Sequence, residues 1–350
     1  MGELFPHATF DADAAGLLDR AADRSRGLSH SALGEAAVNV GVATPFVVAI
    51  LGPTATGKST LGVALAERLG GEVVSCDSTA VYRGFDIGTD KMPMDDRRGI
   101  PHHLIDVADP TEQYTAARYA REAAAAIQQI TNAKKTPILV GGTGLYYRAL
   151  TRGLFPGPGR DDAFRARLSR SARRHGAAWL HRMVARVDPA SSRRIQPTDE
   201  RRLIRALEVF FLTKRPLTDH FAETLSPLRE YRVVSFALRL PSSDIAQRVT
   251  RRVDKQFAVG LLDEIRRLRE GGVPSNAVPF SGLVYRQAVE HLQGIRDVAS
   301  TRELIVRENR RYARRQLIWF RKEPNLHWVD LPGEHPDALT VVLQRLADRL

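Results

Sequence analysis

Gly52-Pro53-Thr54-Ala55-Thr56-Gly57-Lys58-Ser59 satisfies G-x-x-x-x-G-K-[ST] at every fixed position, directly after the apolar run Phe46–Leu51. A buried strand, a glycine-rich turn and then a helix over Lys58 to about Leu69 is the setting in which backbone N–H groups close around phosphate oxygens. The glycines allow close approach of the backbone, and the opening helix end adds positive potential. Lys58 offers an ammonium to the terminal phosphate and Ser59 a hydroxyl to Mg²⁺. All eight residues therefore define a di- or triphosphate site. The loop alone specifies neither the phosphate compound nor the reaction.

Such a loop requires an α/β sheet around it. Strands are expected at Phe46–Leu51, Glu72–Cys76, His103–Val107 and Pro137–Val140, and helices at Lys58–Leu69, Thr115–Thr131 and Gly144–Thr151. Gly153–Arg160 then breaks regular structure as a linker would. Residues 161–226 read as helical and strongly basic, with Arg165, Arg167, Arg170, Arg173 and Arg174 close together. A strand over Tyr231–Leu240 resumes the sheet. Long helices follow at Ser242–Glu270, Leu283–Gln293 and Thr301–Arg321, then a short strand around His327–Val329. The expected architecture is a P-loop NTPase-like parallel sheet core, residues 46–155 and 227–350, interrupted by a helical insertion at 156–226. Residues 1–45 are expected to form a disordered extension without strong periodicity, with at most one short helix around Asp13–Ser25.

At 350 residues the chain exceeds one typical core. Its net charge of +12 points to a polyanionic partner beyond a small phosphorylated ligand. The single cysteine, Cys76, excludes a disulfide framework and a Cys-based zinc site, and fits a reducing cytosol. No signal-peptide pattern and no apolar run of membrane-spanning length is present, so a cytoplasmic protein without a membrane role is expected.

Three further segments carry chemistry. Asp77 ends the second strand on the sheet edge where the phosphate loop opens, placed for general-base work, for water-mediated hold on Mg²⁺, or for capping a turn. Gly141-Gly142-Thr143-Gly144 follows the fourth strand and opens a helix, bringing backbone and the Thr143 hydroxyl near a ligand. Arg201 and Arg205 share one helical face with Leu203 and Leu207 on another. From Thr301 to Arg321, Arg307, Arg310, Arg311, Arg314, Arg315 and Arg321 alternate with Tyr312, Trp319 and Phe320, a mixture suited to phosphates and unstacked bases. His102 and His103 point to opposite faces of a strand start, and no third ligand at useful spacing makes them a metal pair.

In order along the chain, these segments resemble the tRNA dimethylallyltransferase (tRNA isopentenyltransferase) family, bacterial type. The resemblance is carried by Gly52–Ser59, Asp77-Ser78, Val81–Thr89, Pro101–Asp106, Gly141–Tyr146, Arg202–Val209, Tyr285-Arg286-Gln287 and Arg314–Arg321, covering about Phe46 to Trp328. It implies transfer of a dimethylallyl group from dimethylallyl diphosphate to N6 of adenosine 37 beside the tRNA anticodon, by a monomer using Mg²⁺. By this likeness Asp77 accepts the N6 proton and Thr143 assists near the transferred carbon. Gly52–Ser59 and Arg252 hold the diphosphate, and Ser59 helps hold the metal. tRNA contacts fall on Asp77, Ser78, Thr79, Ala80, Thr143, Arg165, Arg201, Arg202, Leu203, Ile204, Arg205, Ser281, Tyr285, Arg286, Arg314, Arg315 and Arg321. Ala80 departs from the family's usual Gln, removing a polar contact to the target base. Val284 stands where Gly usually precedes Tyr285-Arg286 and disfavours a positive φ there. The single cysteine leaves no room for the zinc-finger tail of some relatives.

Three rivals remain open on sequence. A P-loop small-molecule kinase explains Gly52–Ser59 and Asp77 but gives the late arginine–aromatic helix no purpose. Prenyl transfer to free adenine nucleotides leaves the basic insertion unused. An RNA-binding module with a degenerate nucleotide site does not need intact Lys58, Ser59 and Asp77.

Overall fold

The structure, a computed structural model, describes residues 44–349, and the helix expected around Asp13–Ser25 lies outside the described residues. Six strands form one parallel sheet: β1 (Phe46–Leu51), β2 (Gly71–Cys76), β3 (His102–His103), β4 (Thr136–Gly141), β5 (Arg232–Leu238) and β6 (Leu326–Val329). Their order is β3-β2-β4-β1-β5-β6. β1 is central, pairing with β4 on one side and β5 on the other. This accounts for its unbroken apolar sequence, because a strand covered on both faces has no solvent side on which to alternate.

Thirteen α-helices connect these strands among the described residues. In the first part they are α1 (Lys58–Leu69), α2 (Ala116–Asn132) and α3 (Gly144–Arg152). The middle segment holds α4 (Asp162–His175), α5 (Ala177–Val187), α6 (Pro189–Arg194), α7 (Glu200–Thr213) and α8 (Leu217–His220). After β5 come α9 (Ser242–Ala258), α10 (Leu261–Glu270), α11 (Leu283–Leu292), α12 (Val298–Phe320) and α13 (Pro336–Ala347).

Alternate residues of β1 feed two cores. Val48 and Ile50 pack with Leu61 and Leu65 of α1 and with Val342 of α13. Val47, Ala49 and Leu51 face the larger cluster, with Ile127 of α2, Val253 of α9, Ile265 of α10 and Phe320 of α12. A third cluster belongs to the middle segment alone, built from Leu168, Leu180, Val184, Leu203 and Leu207.

Two elements differ from the sequence reading. The strand expected over His103–Val107 stops at His103, because Leu104 and Asp106 adopt φ of 62° and 57°. A left-handed residue turns the chain out of the ladder. The helix expected over Ser242–Glu270 is broken by Gly260 at φ 96°, which makes α9 and α10 separate helices.

Candidate active site

The ends of β1, β4 and β2 lie side by side: Leu51 pairs with Gly141, and Gly141 with Cys76. One residue further, Gly52, Gly142 and Asp77 emerge on the same edge. Gly52 has φ 135°, and a Cβ there would come within 2.7 Å of the Leu238 carbonyl oxygen on β5. Glycine is therefore what lets the phosphate loop leave β1 at this angle.

The loop is held from within and from two later helices. Thr56 Oγ1 donates to the Pro53 carbonyl at 2.9 Å, and Lys58 Nζ to the same oxygen at 2.6 Å. Arg252 on α9 donates to Thr54 Oγ1 at 2.6 Å and pairs with Asp90 at 2.9 Å. Arg248, one turn earlier, donates to the Ala55 carbonyl at 2.6 Å. From α12, Gln316 Oε1 accepts from Thr54 N at 2.8 Å while its Nε2 donates to the Gly142 carbonyl at 2.9 Å. Burial, with Arg252 close by, pushes the Lys58 ammonium down from 10.5 to about 7, against the opposing pull of Asp77 and Asp90.

Asp77 takes on a cap and leaves chemistry open. Its Oδ1 accepts from Thr79 N at 2.8 Å and from Thr79 Oγ1 at 2.7 Å, and its Oδ2 has no hydrogen bond among the described residues. The cap fixes the carboxylate plane, and the second oxygen is available to a ligand. Thr143 Oγ1 accepts from Ser78 N at 3.0 Å, tying the end of β4 to the turn after β2.

Asp77, Lys58, Ser59, Ala80 and Arg252 all line one cavity of about 120 Å³. Ser59 is exposed, and its hydroxyl has no hydrogen bond among the described residues. The hard oxygen donors beside it suit Mg²⁺ held mainly by phosphate oxygens and water. No cluster of three or more His, Cys, Asp or Glu suited to a metal occurs among the described residues. His102 Nδ1 lies 2.8 Å from the Ile100 carbonyl, and His103 Nε2 lies 2.6 Å from Glu72.

Asp90, Tyr312 and Gln316 also line this cavity, and the sequence reading gave none of them a place in it. For Tyr312 and Gln316 the signal was a half-buried face on an arginine-rich helix. For Asp90 there was none, because its position depends on a left-handed residue inside an irregular segment. Burial raises the Tyr312 phenol above its usual range, and the Asp77 carboxylate adds to the effect.

The residues expected to contact RNA divide. Arg201, Arg202, Ser281, Arg286, Arg314, Arg315 and Arg321 are exposed. Leu203 and Ile204 instead sit in the core of the middle segment. Arg165 and Arg205 both hydrogen-bond the buried Glu208, at 2.7 and 2.6 Å. Burial alone would raise the Glu208 carboxyl, but the bonds from Arg165 and Arg205 bring it down to about 2. Tyr285 is only 2 % exposed, so its side chain is not available to RNA. Val284 lies inside α11 and needs no positive φ. Phe320 is fully buried, and Trp319 packs against Gly144 beneath the Arg148 guanidinium, 4.5 Å from the ring centroid. Arg148 and Arg152 of α3 both clamp the buried Glu323, fixing the segment just after α12 on α3. Arg314 and Arg321 border a groove with Leu240 and Ile245, whereas Arg315 lies over Tyr312 at 5.7 Å. The arginines of α12 therefore occupy two flanks.

A glycine-rich loop between basic side chains, facing a carboxylate across the ends of parallel strands, defines a protein of the P-loop α/β class. Residues 80–323 match the family model described as IPP transferase, and the chain belongs to that family. It is 43% identical over 298 residues to a tRNA dimethylallyltransferase of Geobacter sulfurreducens, covering 85% of this chain and 96% of the relative. A tRNA dimethylallyltransferase of Solibacter usitatus is 44% identical over 303 residues, with coverage of 86% and 98%. Among solved structures, a full-length tRNA isopentenylpyrophosphate transferase of Bacillus halodurans superposes with TM-score 0.65 at 35% identity, covering 87% of this chain and 96% of that one. A eukaryotic dimethylallyltransferase acting on tRNA gives TM-score 0.71 at 25% identity, with coverage of 87% and 80%.

Proposed function

We propose that this protein transfers the dimethylallyl group of dimethylallyl diphosphate to N6 of adenosine 37 in tRNA, releasing diphosphate. One observation carries the reading beyond the family: Lys58 and Arg252 meet Asp77 in a single cavity that α12 closes with Tyr312 and Gln316. A donor diphosphate on Gly52–Ser59 directs its allylic carbon toward Asp77. The N6 lone pair attacks that carbon, and the carbon–oxygen bond breaks with its electron pair on the diphosphate. The N6 proton passes to the open oxygen of Asp77, which the Thr79 cap holds in place. Lys58, Arg252 and the loop amides take up the charge of the departing group. Ser59 would help hold Mg²⁺, which supplies further neutralisation of the leaving group. Thr143 keeps the Asp77 turn against the end of β4. Exposed arginines of α7 and α12 present cations to the tRNA phosphates.

Mass spectrometry of an anticodon stem-loop after incubation with enzyme, Mg²⁺ and dimethylallyl diphosphate tests this. One added dimethylallyl group, absent when adenosine 37 is replaced by guanosine, is expected. Prenylation of free adenine nucleotides with unmodified RNA, or ATP consumption without it, would overturn the reading.

A further inference from the structure

One wall of the cavity is irregular backbone: Thr89, Asp90 and Lys91 line it beside Lys58. That wall is fastened from behind by side chains outside the chemistry: Gln256 of α9 donates to the Ile87 carbonyl at 3.0 Å, and two others hold the amides. Glu264 of α10, 4 % exposed, accepts with Oε2 from Asp86 N at 3.0 Å and from Ile87 N at 2.8 Å. Its Oε1 accepts from the Tyr285 hydroxyl at 2.6 Å. That hydroxyl oxygen in turn accepts from Gly88 N at 3.0 Å. Three consecutive amides are thereby fixed by one carboxylate and one phenol. A Cβ on Gly88 would meet the Tyr285 ring at 2.6 Å, so backbone and ring are in direct contact. Two residues beyond Gly88, Asp90 takes φ 57° and pairs with Arg252, which reaches Thr54 of the phosphate loop.

We propose that Glu264 and Tyr285 are positioning residues for the donor diphosphate. They hold Asp86–Gly88 so that Asp90 sets the Arg252 guanidinium against the phosphate loop, a role resting on the reading of that loop and Arg252 as the diphosphate site. A buried carboxylate with both oxygens engaged is held in place, and losing the phenol oxygen leaves the Gly88 N–H without a partner. Tyr285→Phe preserves the ring that packs edge-on against Phe85, with centroids 4.9 Å apart, and removes only the hydroxyl.

The test uses the full chain, with inorganic diphosphate and Mg²⁺ in calorimetry, tRNA in filter binding, and thermal melting. Tyr285→Phe should weaken diphosphate binding and raise the donor KM about tenfold, since small misplacements of binding groups are costly. kcat should move less, and tRNA affinity should stay within about twofold. Glu264→Gln, of the same shape but with one acceptor turned into a donor, should shift diphosphate affinity in the same direction. It provides the second variant if Tyr285→Phe melts early. Unchanged diphosphate affinity in both variants would overturn the proposal, as would loss of tRNA affinity alone, which would make Asp86–Gly88 a support of the RNA surface instead. If the wild type binds diphosphate but transfers no dimethylallyl group, the reaction reading fails while a Tyr285→Phe affinity loss still supports the positioning role.

Discussion

Gln316 and Thr54 lie 262 residues apart and are joined by a 2.8 Å hydrogen bond from the Thr54 amide to the Gln316 side-chain oxygen. The amide nitrogen of Gln316 reaches the Gly142 carbonyl, so one side chain spans the loops after β1 and β4. Its neighbour Arg315 is exposed and lies over Tyr312, a wall of the cavity. The helix that exposes Arg314 and Arg315 to solvent thus also sets the phosphate loop through Gln316.

Gln316→Leu should therefore damage donor handling more than RNA binding. The substitution leaves the Thr54 N–H and the Gly142 carbonyl without partners, costing about 1–3 kcal/mol of stability for each group that water cannot reach. Denaturant unfolding measures that loss. Steady-state kinetics should show kcat/KM for the donor falling about tenfold or more, as expected for misplaced binding groups. Loss of tRNA affinity with intact donor kinetics would place the role of Gln316 in the RNA face instead.

Asp77→Asn separates base from cap. The amide oxygen can still accept from Thr79 N and Oγ1, so the turn and the melting temperature should persist. Turnover should drop by roughly 10²–10⁴, the usual contribution of a positioned general base. Near-normal turnover would reduce Asp77 to a turn residue.

Much of this site was legible in the sequence, for a physical reason. The phosphate loop, Asp77 and Gly141–Thr143 each follow a strand end, and parallel strands bring their ends to one edge whatever the connections do. What stayed hidden rests on tertiary geometry. Tyr285 sits in a motif rich in polar residues yet turns into a core. Arg165 and Arg205 look like solvated cations until the buried Glu208 is seen between them. Asp90 reaches the cavity through a left-handed residue that no periodicity marks.

The two flanks of α12 should separate in RNA binding. Arg314→Gln with Arg321→Gln removes cations bordering a groove of about 630 Å³, and Arg315→Gln removes one beside Tyr312. For each tRNA phosphate no longer neutralised, the log–log salt slope of binding should flatten by about 0.7–0.9. Diphosphate affinity should remain close to wild type in every variant. A slope unchanged in one flank but flattened in the other would assign RNA to the second alone.

Lys58 gives the pH dependence a definite sign. Burial, with Arg252 nearby, holds its ammonium in the folded protein at about 7 instead of the 10.5 of an unperturbed lysine. Between those values the unfolded chain keeps the Lys58 proton and the folded chain has lost it. This group's contribution to stability therefore rises with pH across that window. Diphosphate binding works the other way, because the anion favours the charged form. Binding at pH 8 should take up a proton at Lys58, and affinity should fall as pH climbs through about 7, by at most about tenfold per pH unit. Calorimetry with inorganic diphosphate in two buffers of different ionisation enthalpy measures the uptake. Lys58→Arg supplies the reference, since a guanidinium stays charged throughout and has no proton to gain. The wild type should take up more protons than this variant, approaching about one per site. Equal uptake in the two proteins would show that Lys58 is already charged before diphosphate arrives.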